Sequence, residues 1–270
     1  MPRQRKSPSS DKVLRPVLPN AGVEAHYRKT VNRALSEMHK EIIDTVAQVY
    51  GKPVIFATDS IADDIRSALH WITNKWFQRF DTMADLLAKY FATSVEQRSS
   101  AQLQKILRDG GMSVRFQVTP GIAEIMEATV QQNVALIKSI PQQYLGRVEQ
   151  IVMQGVQSGG DLGYITKELR SQFGVTKRRA AFIARDQSSK ATTAFTRARQ
   201  IEAGITQAQW LHSHAGKAPR PTHVAAGKAK TIYPVAEGWH DPDPRVNRKI
   251  WPGELIQCRC VSKSVVKGFN

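Results

Sequence analysis

The strongest constraint on the fold is a run of apolar residues between Ile61 and Tyr90. Ile61, Ile65, Leu69, Ile72, Trp76, Phe80, Met83, Leu87 and Tyr90 recur at steps of three or four. That is the 3.6-residue period of one helix face, held for about eight turns. A strand repeats its buried face every second residue, so this spacing excludes sheet over the stretch. One long amphipathic helix, or two nearly collinear ones, is expected, with Ser60 and Asp63 as a weak capping pair at its start. Trp71, Trp76, Phe77 and Phe80 read as core residues rather than as a stacking platform.

The same pattern recurs on both sides. Leu35, Met38, Ile42, Val46 and Val49 predict a helix that Gly51 and Pro53 end. Residues 94–108 are expected to be helical up to Asp109-Gly110-Gly111. A helix from Pro120 to Lys138 should break at Ser139-Ile140-Pro141. Another carries Leu145, Val148, Ile151, Val152 and Val156 and stops at Ser158-Gly159-Gly160. Two more are expected over 161–173 and 176–203. Beyond Gly204 the chain is dense in Pro, Gly, His and Trp, and short strands are expected at 207–212, 230–233 and 254–266. Residues 1–30 are rich in Pro, Ser, Arg and Lys without apolar period and read as a flexible basic arm. The expected class is α+β: that arm, a helical body over 31–158, and a small basic α+β module with a short sheet over 159–270.

Charge points to a partner. Lys and Arg number 39 against 23 acids, a net charge of +16. From Thr176 onward there are 17 basic and 6 acidic residues, so a surplus of 11 falls in the last third. Such a concentration predicts attraction to a polyanion, most commonly nucleic acid. No stretch approaches 18 consecutive apolar residues, so no membrane-spanning helix is expected. Two cysteines cannot build a disulfide scaffold.

Those cysteines, Cys258 and Cys260, flank Arg259. In a regular strand residues i and i+2 lie roughly 6.6 Å apart, whereas thiolates on one tetrahedral zinc lie under about 4 Å apart. They can share a metal only where the chain bends, and a disulfide between them meets the same obstacle. His223 is the first candidate for a third ligand, with His212, His214, His240 or Asp241 in reserve. The competing expectation is two small buried side chains on a strand face shared with Ile256, with Gln257 and Arg259 turned away. A metal-dependent nuclease or toxin-like enzyme would draw on His223, His240, Asp241 and Asp243, but no HExxH, GxSxG or phosphate-cradling glycine loop is present. A third possibility is a helix-turn-helix over 164–186, with Gly174 and Thr176 at the turn and Lys177, Arg178 and Arg179 opening the second helix.

Taken together, residues from about 160 to 265 resemble the phage Mu F-like head morphogenesis proteins, also called minor capsid or minor head proteins. The matching blocks run from RRAAFIARDQSSKATTAFTRARQIEAGI through Trp210 and Pro219-Arg220-Pro221-Thr222-His223. They close with Trp251-Pro252-Gly253-Glu254 and Cys258-Arg259-Cys260. After Arg185, where many relatives are expected to carry an acidic or Thr-Glu pair, this chain has Asp186-Gln187. The resemblance implies a virion protein built into the head during assembly in a bacterial host cytoplasm. Its expected neighbours are the portal, the capsid or scaffold interior and packaged double-stranded DNA. No catalytic role is carried over, and the one cofactor expected is a possible structural zinc at His223, Cys258 and Cys260. Arg178, Arg179, Arg185, Arg197, Arg199, Arg245, Arg248 and Lys249 are the expected non-specific phosphate contacts.

Overall fold

A computed structural model describes residues 11–50, 61–158, 162–216 and 218–267. Among these, the order is β1 (Lys12–Val13), α1 (Ala21–Tyr50), α2 (Ile61–Asp109), α3 (Pro120–Gln157), α4 (Leu162–Glu202) and β2 (Gln207–Leu211). There follow α5 (Pro221–Lys228), β3 (Ile232–Pro234), β4 (Trp239–Asp241), β5 (Arg248–Ile250) and β6 (Val261–Val266). The α+β class expected from the sequence is what the chain adopts.

The chain forms two compact units that interleave in sequence. One holds Ala92–Ala128 with the described residues before Glu24 and from Arg185 onward; the other holds Glu24–Phe91 and Thr129–Ala184. The linear division near residue 158 is therefore not how the contacts group, because α2, α3 and α4 each give residues to both units.

Among its described residues, the second unit is helical apart from the turn at Ser158. On α1, Tyr27, Val31, Leu35, Met38, Ile42, Val46 and Val49 are buried at helical spacing. Ile65, Leu69, Ile72, Trp76, Phe80 and Leu87 do the same on α2. Trp76 Nε1 donates to Glu41 Oε2 at 3.0 Å, which satisfies the one polar atom its burial would strand. Trp71 is 61% exposed and is not a core residue, a correction to its sequence reading.

Two expected breaks do not occur. The helix α3 runs through Pro141, and α4 runs through Gly174 and Thr176. An interior proline costs about 3 kcal/mol, and a glycine about 1. Around Pro141, Ile140, Tyr144, Leu145 and Val148 are all buried. At about 1.5–3 kcal/mol each they outweigh the lost backbone bond. Around Gly174, burial of Leu169 and stacking of Phe173 on His39, ring centroids 4.2 Å apart, carry the helix across. Thr176 Oγ1 donates back to the Gln172 carbonyl at 3.0 Å instead of capping a new helix. The helix-turn-helix is thereby removed.

In the first unit a four-stranded antiparallel sheet has the order β1-β6-β2-β3, and β4 pairs with β5 as a separate ladder. β1 pairs with β6 in this unit's sheet, the buried Leu14 and Val17 enter its core, and Ala21 already opens α1. Residues 11–30 are thus built into the fold rather than forming an arm; residues 1–10, like Gly51, Pro53 and residues 159–161, lie outside the described residues. On β2 the buried face is Ala208 and Trp210. They pack with Leu103, Leu107, Tyr233, Val235, Ile250, Cys258 and Cys260 in one apolar cluster. Arg199, 2% exposed, is the largest polar side chain inside this unit. Its guanidinium donates to Glu96 Oε1 at 2.6 Å, Glu202 Oε2 at 2.8 Å, Ser100 Oγ at 2.9 Å and the Gln117 carbonyl at 2.6 Å.

Candidate metal centre

The strand expected over 254–266 is only half formed, and the difference creates the site. β6 starts at Val261; residues 251–257 fold into turns and residues 258–260 are irregular. Gln257 takes a left-handed backbone, φ 57°. The bend is held from three sides. Gln257 N–H donates to Asp186 Oδ1 at 2.6 Å, Cys258 N–H to the Leu255 carbonyl at 2.8 Å, and Arg220 Nη2 to the Ile256 carbonyl at 3.0 Å. The sulfurs of Cys258 and Cys260 are thereby turned toward one point, while Ile256 is 60% exposed and shares no buried face with them. The strand-face reading of this pair is therefore overturned.

His223 comes from the short helix α5, which Pro221 opens at its first turn. Gly227 lets that helix lie close against β2's end, since a Cβ there would stand 2.5 Å from His212 Cβ. His223 is 2% exposed, with its Nδ1 3.4 Å from Cys258 Sγ and 3.8 Å from Cys260 Sγ. Its Nε2 lies 3.1 Å from Oδ2 of Asp241, which is fully buried. A carboxylate only accepts, so Nε2 carries the proton and Nδ1 offers its lone pair to the sulfurs. Trp210 packs edge-on to the imidazole at 4.9 Å and fixes its plane.

Both cysteines are free thiols, 4% exposed. A hydrogen bond from Cys260 holds the Cys258 thiol well below the usual range, and the same bond together with burial pushes Cys260 up. The Gly253 N–H reaches Cys258 Sγ at 3.4 Å. Gly253 sits at φ +89°, and a Cβ on it would meet Thr193 Oγ1 at 2.4 Å. Gly253→Ala is expected to cost about 1–3 kcal/mol, read as a lower denaturant midpoint at unchanged slope; an unchanged midpoint would show that the turn has slack.

The other residues singled out in the sequence are dispersed. His212 is buried on the rim of the cleft beside Cys258 and Cys260, while His214 and His240 are exposed. On β4 His240 alternates with Asp241 and so faces away from it. Asp243 is held by Arg245, whose hydrogen bonds bring its carboxyl down to about 2. His223, His240, Asp241 and Asp243 therefore do not converge as the nuclease reading required.

Of the expected phosphate contacts, Arg199 is withdrawn, because it is buried and fully engaged with protein groups. Arg178 and Arg179 lie in one unit; Arg185, Arg197, Arg245, Arg248 and Lys249 lie in the other. Arg178 is exposed, and Arg179 donates to Ser139 Oγ at 2.9 Å. Arg185 is half-buried, and Arg197 stacks 3.5 Å over the Trp251 ring. Arg245, Arg248 and Lys249 pair with Asp243, Glu254 and Glu237, with side chains 82%, 52% and 53% exposed. The pairs of Arg248 and Lys249, exposed or half-exposed on both sides, are worth about 0–1 kcal/mol and yield readily to a phosphate, whereas Arg245 is held more firmly by the buried Asp243.

Two residues escaped sequence reasoning in their actual roles. Asp241 was read as a reserve ligand or a nuclease carboxylate, yet it orients His223. Asp186, at the position departing from the expected family pattern, is 6% exposed and anchors the Gln257 turn while pairing with Lys190 at 2.8 Å. No sequence signal marked its internal role.

Fold and site together define a small α+β module in which a buried Cys-Cys-His set joins a short helix to an antiparallel sheet. Residues 146–263 match the family described as Phage Mu protein F like protein, which bears out the resemblance over that span and adds the last part of α3 to it. The chain is also 28% identical over 257 residues to an uncharacterized protein of Haemophilus influenzae (strain ATCC 51907 / DSM 11121 / KW20 / Rd), covering 94% of this chain. It spans 55% of that relative's length. No solved structure matches. Among the described residues, no helix is long and apolar enough to cross a membrane.

Proposed function

We propose that this protein is a structural, non-enzymatic component of a phage head, added during head morphogenesis, which sits at the portal vertex or capsid interior and holds packaged DNA through its basic surface. The match to the Mu F-like family carries the head assignment. The DNA contact rests on charge. All six acids from Thr176 onward are already engaged within the fold: Asp186 with Lys190, Glu202 with Arg199, Glu237 with Lys249, Asp241 with His223, Asp243 with Arg245 and Glu254 with Arg248. The surplus of 11 positive charges in this stretch is thus not cancelled inside it.

Counterion release sets the expected behaviour. If about six phosphates are neutralised, affinity for duplex DNA falls about 10³-fold between 50 and 200 mM salt, alike for unrelated sequences. Fluorescence anisotropy across a salt series measures this, with Arg248→Ala/Lys249→Ala expected to flatten the slope. Absence of binding at 50 mM salt, or a strong preference for one sequence, would overturn the DNA contact. Plasmid incubated with the protein and divalent metal ions should stay intact; cleavage would overturn the non-enzymatic assignment.

A further inference from the structure

We propose that the chain carries a mononuclear zinc site whose protein ligands are Cys258 Sγ, Cys260 Sγ and His223 Nδ1. The three ligand atoms lie within 4.8 Å of one another, and all three residues are buried. Tetrahedral zinc takes sulfur at about 2.3 Å and imidazole nitrogen at about 2.0–2.1 Å, which puts nitrogen and sulfur about 3.6 Å apart. The observed separations of 3.4 and 3.8 Å bracket that edge length. Two thiolates with one imidazole form a soft donor set that selects zinc over magnesium or calcium.

The surroundings are those a metal-thiolate site needs. Asp241 fixes the tautomer that leaves Nδ1 as the donor, the carboxylate–histidine arrangement that orients a metal-bound imidazole. Peptide N–H groups approach the sulfurs, Gly253 on Cys258 at 3.4 Å and Ser213 on Cys260, and they would spread a thiolate's negative charge. The buried Trp210 Nε1 has no hydrogen-bond partner of ordinary geometry and lies beside Cys260. The three ligands share a cleft with His212, Ser213, Arg220 and Gln257, from which a fourth ligand would come. The ion would tie α5 directly to the turn before β6, and through Asp241 to β4. Loss of two thiol protons to solvent balances its binding charge.

The site stands independently of the head assignment, and its test involves no particle or DNA. The full chain, purified without chelators, should hold about one zinc per molecule by elemental analysis. Cobalt(II) loaded in its place should give the intense visible bands of tetrahedral coordination and a thiolate-to-metal charge-transfer band. Removal by chelator should lower Tm, and restored zinc should return it. Cys258→Ser and Cys260→Ser should each lose the metal, whereas His240→Ala should retain it. Asp241→Asn tests a positioning residue: zinc affinity should fall about 10–100-fold with the stoichiometry at saturation preserved. If the cysteine variants fail to fold, metal content and cobalt spectra of the native chain decide. Folded native protein that takes up neither zinc nor cobalt overturns the site. So does a mass 2 Da low from a Cys258–Cys260 disulfide, or undiminished zinc in Cys258→Ser.

Discussion

Glu96→Ala is expected to destabilise the protein by about 3 kcal/mol, the lower end of what breaking a buried ion pair costs. Glu96 Oε1 accepts from Arg199 Nη2 at 2.6 Å and from Ser100 Oγ at 2.7 Å, with both charged side chains nearly inaccessible. Without it, the guanidinium stays buried with Glu202, a partner 28% exposed and therefore better solvated, as its remaining counterion. Burial works against the Arg199 charge, and the hydrogen bonds to Glu96 and Glu202 outweigh it. Glu202→Ala should cost less, about 1 kcal/mol, because a partly solvated pair is the weaker one. Replacing Glu96 and Arg199 together by methionine should recover most of the loss, since a buried pair exchanged for apolar groups of similar volume is near neutral. Urea unfolding of the three variants measures this. Equal, small effects from Glu96→Ala and Glu202→Ala would show that Arg199 is reached by solvent.

Trp210→Ala should have the larger effect, about 3–5 kcal/mol, the usual cost of emptying a buried aromatic position. The indole is 1% exposed and lies 4.8 Å from the Trp239 ring, 4.9 Å from His223 and 6.3 Å from Tyr233. Its removal leaves a cavity between β2, β4 and α5 and frees the imidazole that faces the two sulfurs. Trp210→Phe keeps the ring and should recover more than half of the loss. Thermal unfolding by circular dichroism would show the difference; a Trp210→Ala midpoint within a degree of native would mean that the indole is not part of the core.

Much of the helical framework was legible because its signal is long. One face of α2 repeats over so many turns that its type was never ambiguous, and the end at Asp109-Gly110-Gly111 follows from local backbone preference. The misreadings share one cause. Pro141 and Gly174-Val175-Thr176 carry local costs of a few kcal/mol at most, and burial elsewhere on α3 and α4 exceeds them, which no local window reveals. The same holds for residues 11–30: their composition is polar, but Val13 pairs with Val265, and Leu14 and Val17 enter a core assembled from distant segments. At the site, His223 and both cysteines were legible as residue types. Their convergence was not, because it depends on a turn at Gln257 held by Asp186, 71 positions away. Charge had a similar limit: a count cannot distinguish Arg199, which is consumed inside the fold, from Arg245, which stands on its surface.

The most direct test of the head assignment is quantitative mass spectrometry of gradient-purified particles from the host that carries this gene, both DNA-filled and empty. The account predicts the chain in assembled heads at a fixed low copy number relative to the shell protein, retained after high-salt washing that strips adsorbed basic proteins. Particles of normal shell composition that lack this chain, or that lose all of it in the salt wash, would contradict it.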